Sequence, residues 1–301
     1  MPFSAEFQDE YKFEPVLVET IITKAVEEKK KEIRGMTILD KDLFVVHAEN
    51  SEVEVYDSRK LGFTRRCNLK ELINALDIGS CNKNKCLYIL DSKSFNQAME
   101  ILRVDSNGKL IKKWSAEYGN RGGLSVTDHS NVILTASEQN KLNQYSPDGH
   151  LICEINLSDA GIRHPWHAIQ LTIGHFVVSQ GCPIIDYDRP KVCTVNADGK
   201  LVKSFDGEYT SALEEMMLPV HLSVDGNGFV MVADQWNSRV LLLDSNLDFM
   251  REIILKERLG LQRPCKILLD ELNGRLLVVD KEWNNQRILV FYIKRLREIK
   301  T

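Results

Sequence analysis

The sequence predicts an all-β protein, a six-bladed β-propeller of four-stranded antiparallel blades whose ring is closed by an N-terminal strand. Three observations predict it. Six residues that lead into similar apolar runs, Gly35, Gly79, Gly123, His167, His221 and Lys266, follow one another at 44, 44, 44, 54 and 45 positions, and a sustained period of this length marks a repeat architecture. Nine residues beyond the first five entries a second apolar run begins, at Phe44, Tyr88, Val132, Phe176 and Val230, with Leu276 one residue later in the sixth unit. Finally, the β-branched run 16–22 precedes the first unit, while the sixth lacks an ordinary fourth strand after Tyr292. Pairing those two removes an open sheet edge.

Composition fits this scheme. The 301 residues are 43% hydrophobic with only 8 Pro and 17 Gly, so the chain can bury a large core, and a propeller divides that core among blade interfaces. A net charge of -4 gives no general attraction to nucleic acid or anionic lipid. No apolar run approaches a membrane span, and the first ten residues show no basic segment followed by an apolar one, so a cytoplasmic protein is expected. The seven cysteines are odd in number and scattered, as buried thiols rather than a disulfide framework. Cys81 and Cys86 have no second pair beside them, so no zinc site is expected there.

The chain then divides into an N-terminal extension, 1–15, and the propeller, 16–301. Within each unit the third strand starts at Val53, Ile101, Leu142, Val192, Val240 or Ile288, and the fourth, where visible, at Phe63, Leu110, Leu151, Leu201 or Phe249. Between them stand tight-turn compositions such as Asp105-Ser-Asn-Gly and Ser146-Pro-Asp-Gly. The fifth unit is the clearest. Leu222 to Val224 and Phe229 to Ala233 flank Asp225-Gly226-Asn227-Gly228 as a hairpin, and Val240 to Leu243 follows a loop containing Trp236.

These fifth and sixth units resemble the NHL repeat, and the resemblance extends over nearly all of 16–292. It is similar to the C-terminal propeller of tripartite-motif proteins, and so implies six blades but no single function, since that architecture carries RNA binders, protein scaffolds and enzymes. The chain has no RING, B-box or coiled-coil segment, nor the acidic metal pattern of gluconolactonase-like propellers.

Blade topology puts strand entries and two-to-three loops on one face and the other turns on the opposite face. The entry face collects Trp166, His167, Tyr187, Arg189, His221, Trp236, Arg263, Lys266 and Trp283, which are the expected partner-binding residues. The turn face is short and acidic: Asp105, Asp148, Asp198, Asp225, Asp244, Asp270 and Glu271. A column of charge at the third-strand starts, Glu52, Glu100, Lys141, Lys191, Arg239 and Arg287, changes sign between the second and third units. Two of these bases, Arg239 and Arg287, are expected to form structural pairs with Asp234 and Asp280.

The expected function is a non-catalytic binding scaffold, monomeric, with its basic and aromatic face turned to a protein segment first and to single-stranded RNA second, and with no DNA, membrane or cofactor. The alternative is a propeller hydrolase or lyase with a metal or anion site at the axial channel, built on His167, His221 and Lys266. Glycines at the equivalent positions in the first three units argue against a metal.

Overall fold

The computed structural model describes residues 15–29, 31–93, 97–119, 121–181, 189–207, 215–255, 260–282 and 285–293. Each of the six repeats folds as one four-stranded antiparallel sheet with its strands in sequence order, except the sixth, whose order places Pro15–Ile21 outside Asn285–Ile293. The register runs from Pro15 opposite Ile293 to Ile21 opposite Ile288. The ring is therefore closed by the N-terminal strand, one residue earlier at each end than the sequence predicts.

Burial is deepest in the middle of each blade. The second strand Cys86–Asp91 and the third strand Arg239–Leu243 are buried along their whole length, while first strands such as Pro219–Val224 are partly buried and outer ones such as Leu151–Asn156 mostly exposed. Six apolar clusters form, one between each pair of neighbouring blades; Met231, Val240 and Leu242 of the fifth meet Ile267, Leu276 and Val278 of the sixth in one of them. Burying one Val, Leu or Ile is worth about 1.5 to 3 kcal/mol, so these interfaces outweigh any polar tie in holding the ring. Ile21 and Val26, the latter on the short helix Lys24–Lys29, join the cluster that seals the sixth blade to the first. No helix among the described residues is long and apolar enough to cross a membrane.

The turn-face carboxylates are largely consumed by local structure. Asp105, Asp225 and Asp244 each accept backbone N–H groups two and four residues ahead, which is how Asp stabilises a tight turn. Others tie blades together: Arg103 of the second reaches Asp148 of the third at 2.8 Å, and Gly226 N–H of the fifth donates to Glu271 of the sixth at 2.7 Å. Cys81 and Cys86 face each other in the second hairpin as buried free thiols.

At the inner end of five blades the first strand carries a β-bulge, between Ile33 and Gly35, Ala75 and Asp77, Pro165 and His167, Pro219 and His221, and Pro264 and Lys266. The third blade keeps a regular register there, with Gly123 opposite Thr135. This corrects the repeat alignment in the second blade. The residue equivalent to His167 is Asp77, opposite Leu90, and not Gly79, which lies two positions further along and packs on Leu124. The physical reason is a longer hairpin: Asp77 and its partner Leu90 lie 13 residues apart, against 12 for His167 and Ser179.

Candidate functional site

The inner strand of each blade has one edge facing the channel, so some of its N–H groups need partners from elsewhere. Side chains at the entry positions supply them from the preceding blade. Asp77 Oδ2 accepts Leu124 N–H at 3.1 Å, His167 Nδ1 accepts Leu222 N–H at 3.4 Å, and His221 Nδ1 accepts Ile267 N–H at 3.4 Å. The two imidazoles stack with centroids 4.0 Å apart, and Lys266 reaches across the channel to Asp77 at 2.8 Å. Gly123 is required at its place because a Cβ there would lie 2.7 Å from Trp166 O and 2.8 Å from His167 Cδ2. So the axis is held by Asp77, His167, His221 and Lys266, and the entry alignment supplied three of these four.

Asp77, His167 and His221 offer ligand atoms within 4.8 Å of one another, the donor set of a two-histidine, one-carboxylate metal site. The hydrogen bonds do not fit that reading. A backbone N–H only donates, so both Nδ1 atoms are acceptors and the proton of each neutral ring sits on Nε2. A metal on Nε2 would move that proton to Nδ1, against the N–H of Leu222 or Ile267. The place of a cation beside Asp77 is also filled by the Lys266 ammonium. Burial pushes the pKa of His167 down to about 4, helped by Lys266 and opposed by Asp77, and burial followed by the charges of His167 and Lys266 pushes His221 well below its ordinary value. Both rings are neutral near pH 7, and neither is poised to take a proton there.

Above this cluster, on the entry face, opens a cavity of about 220 Å³. Its wall is built by the bulges, which tip one extra side chain of a strand out of the ladder: Arg34, Leu76, Trp166, Val220 and Cys265 all line it. Arg121, Lys266, Lys281, Glu32, Gln235 and Gln286 add its polar groups, with Ile33 and Gly122 between them. Trp166 is fixed there by donating its indole N–H to Gly181 O at 3.2 Å. Arg34 and Lys281 share one carboxylate, Glu32, at 3.4 and 2.6 Å, and Arg121 is exposed with no ion-pair partner among the described residues.

The remaining expected contact residues are dispersed. Trp236 is half-buried on the loop between Asp234 and Arg239, and Arg189 and Arg263 are exposed on the rim. Tyr187 and Trp283 lie outside the described residues. The charge column does not form a free basic ring: the Lys141 ammonium is held by Glu117 and Glu154 at 2.9 and 2.7 Å, and Lys191 donates to Gly161 O. Arg239 donates to Asp234 at 2.9 Å and to Glu252 at 2.6 Å, and Arg287 to Asp280 at 3.0 Å. Asp234 and Asp280 each use their other oxygen to accept two backbone N–H groups of the entry loop. Sequence reasoning missed Asp77, Arg34, Arg121 and Lys281. For Asp77 a signal existed: Asp77-Ile78 matches Lys266-Ile267.

Fold and axis together define the class, a six-bladed β-propeller with a neutral, hydrogen-bonded axial cluster beneath a basic cavity. No family model and no curated protein matches the chain. Among solved structures it is similar to the PQQ-bound aldose sugar dehydrogenase of Streptomyces coelicolor, with a TM-score of 0.65 at 12% identity over 94% of this chain and 99% of that one. Virginiamycin B lyase from Staphylococcus aureus gives 0.60 at 11% over 94% and 89%, and Kuenenia stuttgartiensis hydrazine synthase 0.58 at 12% over 88% and 96%. At such identity the likeness is one of fold.

Proposed function

We propose that the protein is a non-catalytic binding module of the NHL-like kind, acting as a monomer, and that it holds a protein segment on its entry face. One observation carries this: a small cavity edged by Arg34, Arg121, Lys281 and Trp166 stands over an axis whose every ionisable group is already engaged. Charged and aromatic side chains around a concave centre make the usual anchors of an interface. All three solved structures just described bear enzyme names, a dehydrogenase, a lyase and a synthase. An axial lyase or hydrolase would need a free base or nucleophile, and here both histidines and Lys266 are tied into hydrogen bonds or an ion pair.

Protein is favoured over single-stranded RNA as the partner. The ammonium groups of Lys141 and Lys191 are held by protein partners, which withdraws them from backbone phosphates, and RNA binding draws most of its strength from such contacts. The test is selection of random 12-residue peptides against the immobilised full chain, followed by affinity measurements on variants. Trp236→Ala with Arg263→Glu should weaken the selected peptides tenfold or more, and Asp148→Lys with Asp198→Lys, on the turn face, less than twofold. The reverse pattern would move the site to the other side of the ring.

A further inference from the structure

Resting on the entry-face reading, we infer that the axial cavity is a carboxylate receptor, which takes the side chain of one aspartate or glutamate from the bound protein segment. The charge on its walls points that way. Arg34, Arg121, Lys266 and Lys281 face Glu32 on the wall and Asp77 at the floor, four formal positives against two negatives. Among the described residues Glu32 alone serves both Arg34 and Lys281. Although burial pushes its carboxyl upward, the hydrogen bond and charge of Lys281 with the charge of Arg34 bring it below the ordinary value, as expected where positive potential is in excess.

The remaining polar groups are donors as well. Gln286 accepts Ile33 N–H through Oε1, which leaves its amide N–H₂ to offer. Lys266 spends one of its three N–H donors on Asp77. Arginine is suited to a carboxylate because its fork can donate two parallel hydrogen bonds. Between these donors stand Ile33, Leu76, Val220, Cys265 and Trp166, an apolar collar for the methylenes that carry a carboxylate on its stem.

Size selects the occupant. Pockets for whole cofactors and drug-sized ligands run from about 300 to 1,000 Å³, so a cavity of about 220 Å³ takes one side chain rather than a nucleotide. A bare metal ion is opposed by the excess positive charge.

The test uses the full chain and the peptides selected on its entry face, read by fluorescence polarisation. Each aspartate or glutamate of the peptide is replaced by its amide, and the protein carries Arg121→Glu, or Arg121→Gln should the reversal fail to fold. One acidic position should dominate. Its amide isostere should cost tenfold or more, Arg121→Glu a similar factor, and the two losses together no more than one of them alone. Entry-face peptides that bind within twofold after every carboxylate is replaced would overturn the receptor while leaving the binding face in place. If no peptide is sensitive to entry-face substitution, both ideas fail together. Tight binding of a labelled 12-residue oligouridine, lost in Arg121→Glu while peptides are indifferent to it, would overturn the proposal in favour of nucleic acid.

Discussion

The two equivalent arginines of the fifth and sixth blades should differ in what they contribute, and the difference can be worked from their surroundings. Partly exposed cross-strand ion pairs contribute about 0.2 to 1 kcal/mol, which is the value the sequence alone would assign to both. The Arg239 side chain is only 4% exposed and Asp234 0%, whereas Arg287 is 29% exposed over an equally buried Asp280. Arg239→Met therefore leaves a carboxylate oxygen in a dry site, and breaking a buried pair in this way costs about 3 to 5 kcal/mol. Asp234 keeps Met217 N–H, Leu218 N–H and the Asn237 amide, which argues for the lower end, about 3 kcal/mol. Arg287→Met opens a site that water can enter and should cost about 1 kcal/mol. Calorimetric melting should show the first variant roughly 6 °C or more below the native protein and the second roughly 2 °C below. Asp234→Asn added to Arg239→Met should recover part of the loss. Equal melting points for the two single variants would refute the claim that burial decides the strength of these pairs.

Acid should destabilise the protein over a defined window. Burial holds both His47, whose Nε2 shares a hydrogen bond with the Thr23 hydroxyl, and His167 near pKa 4. The unfolded chain takes up those protons from about pH 6.5 downward and the folded one does not, so stability present above 6.5 is lost between 6.5 and 4, by about 3 kcal/mol per ring; urea titrations that give the same midpoint at pH 7 and pH 4.5 would contradict it. Removing residues 1–22 should leave an aggregating or markedly less stable chain by size-exclusion chromatography, because Ile21 leaves the seam between the sixth and first blades. Gly123→Ala should lower the melting point and perturb the His167 ring signals in NMR, since the added methyl meets His167 directly. Zinc added to the purified protein should not raise the melting temperature; a rise of several degrees would show that the axial rings can release their Nε2 protons to a metal.

Closure by residues 16–22 was legible because it follows from a deficit and a surplus, a blade short of one strand and a strand without a blade. The axial set was legible where polar residues recur at a fixed offset, as His167, His221 and Lys266 do. Asp77 was hidden because the hairpins differ in length: its partner Leu90 lies 13 residues on, against 12 for His167 and Ser179 and 11 for Gly35 and Val46, so no single offset places every blade. Arg34 escaped for a different reason. A bulge reverses the alternation of a strand locally, and neither composition nor period tells which residue will be the extra one. The occupied state of Lys141 depends on Glu117, on the outer strand of the preceding blade, and pairing between repeats has no signature within either.

Because Pro15–Ile21 pairs with Asn285–Ile293, the first strand of the propeller to leave a ribosome has as its partner the last. Val16, Leu17 and Val18, largely exposed even in the finished ring, must stay unpaired throughout synthesis of some 270 intervening residues, a period in which an apolar β-strand is open to any other edge. Joining ends that far apart in an otherwise loose chain would cost about 5 kcal/mol in loop entropy. Docked blades remove most of that cost by bringing the ends together beforehand, so closure is a late event that depends on all the earlier ones. Slow translation or a destabilised middle blade would prolong the exposed interval, and the yield of native protein would then be set by the competition between ring closure and capture of that strand by another chain.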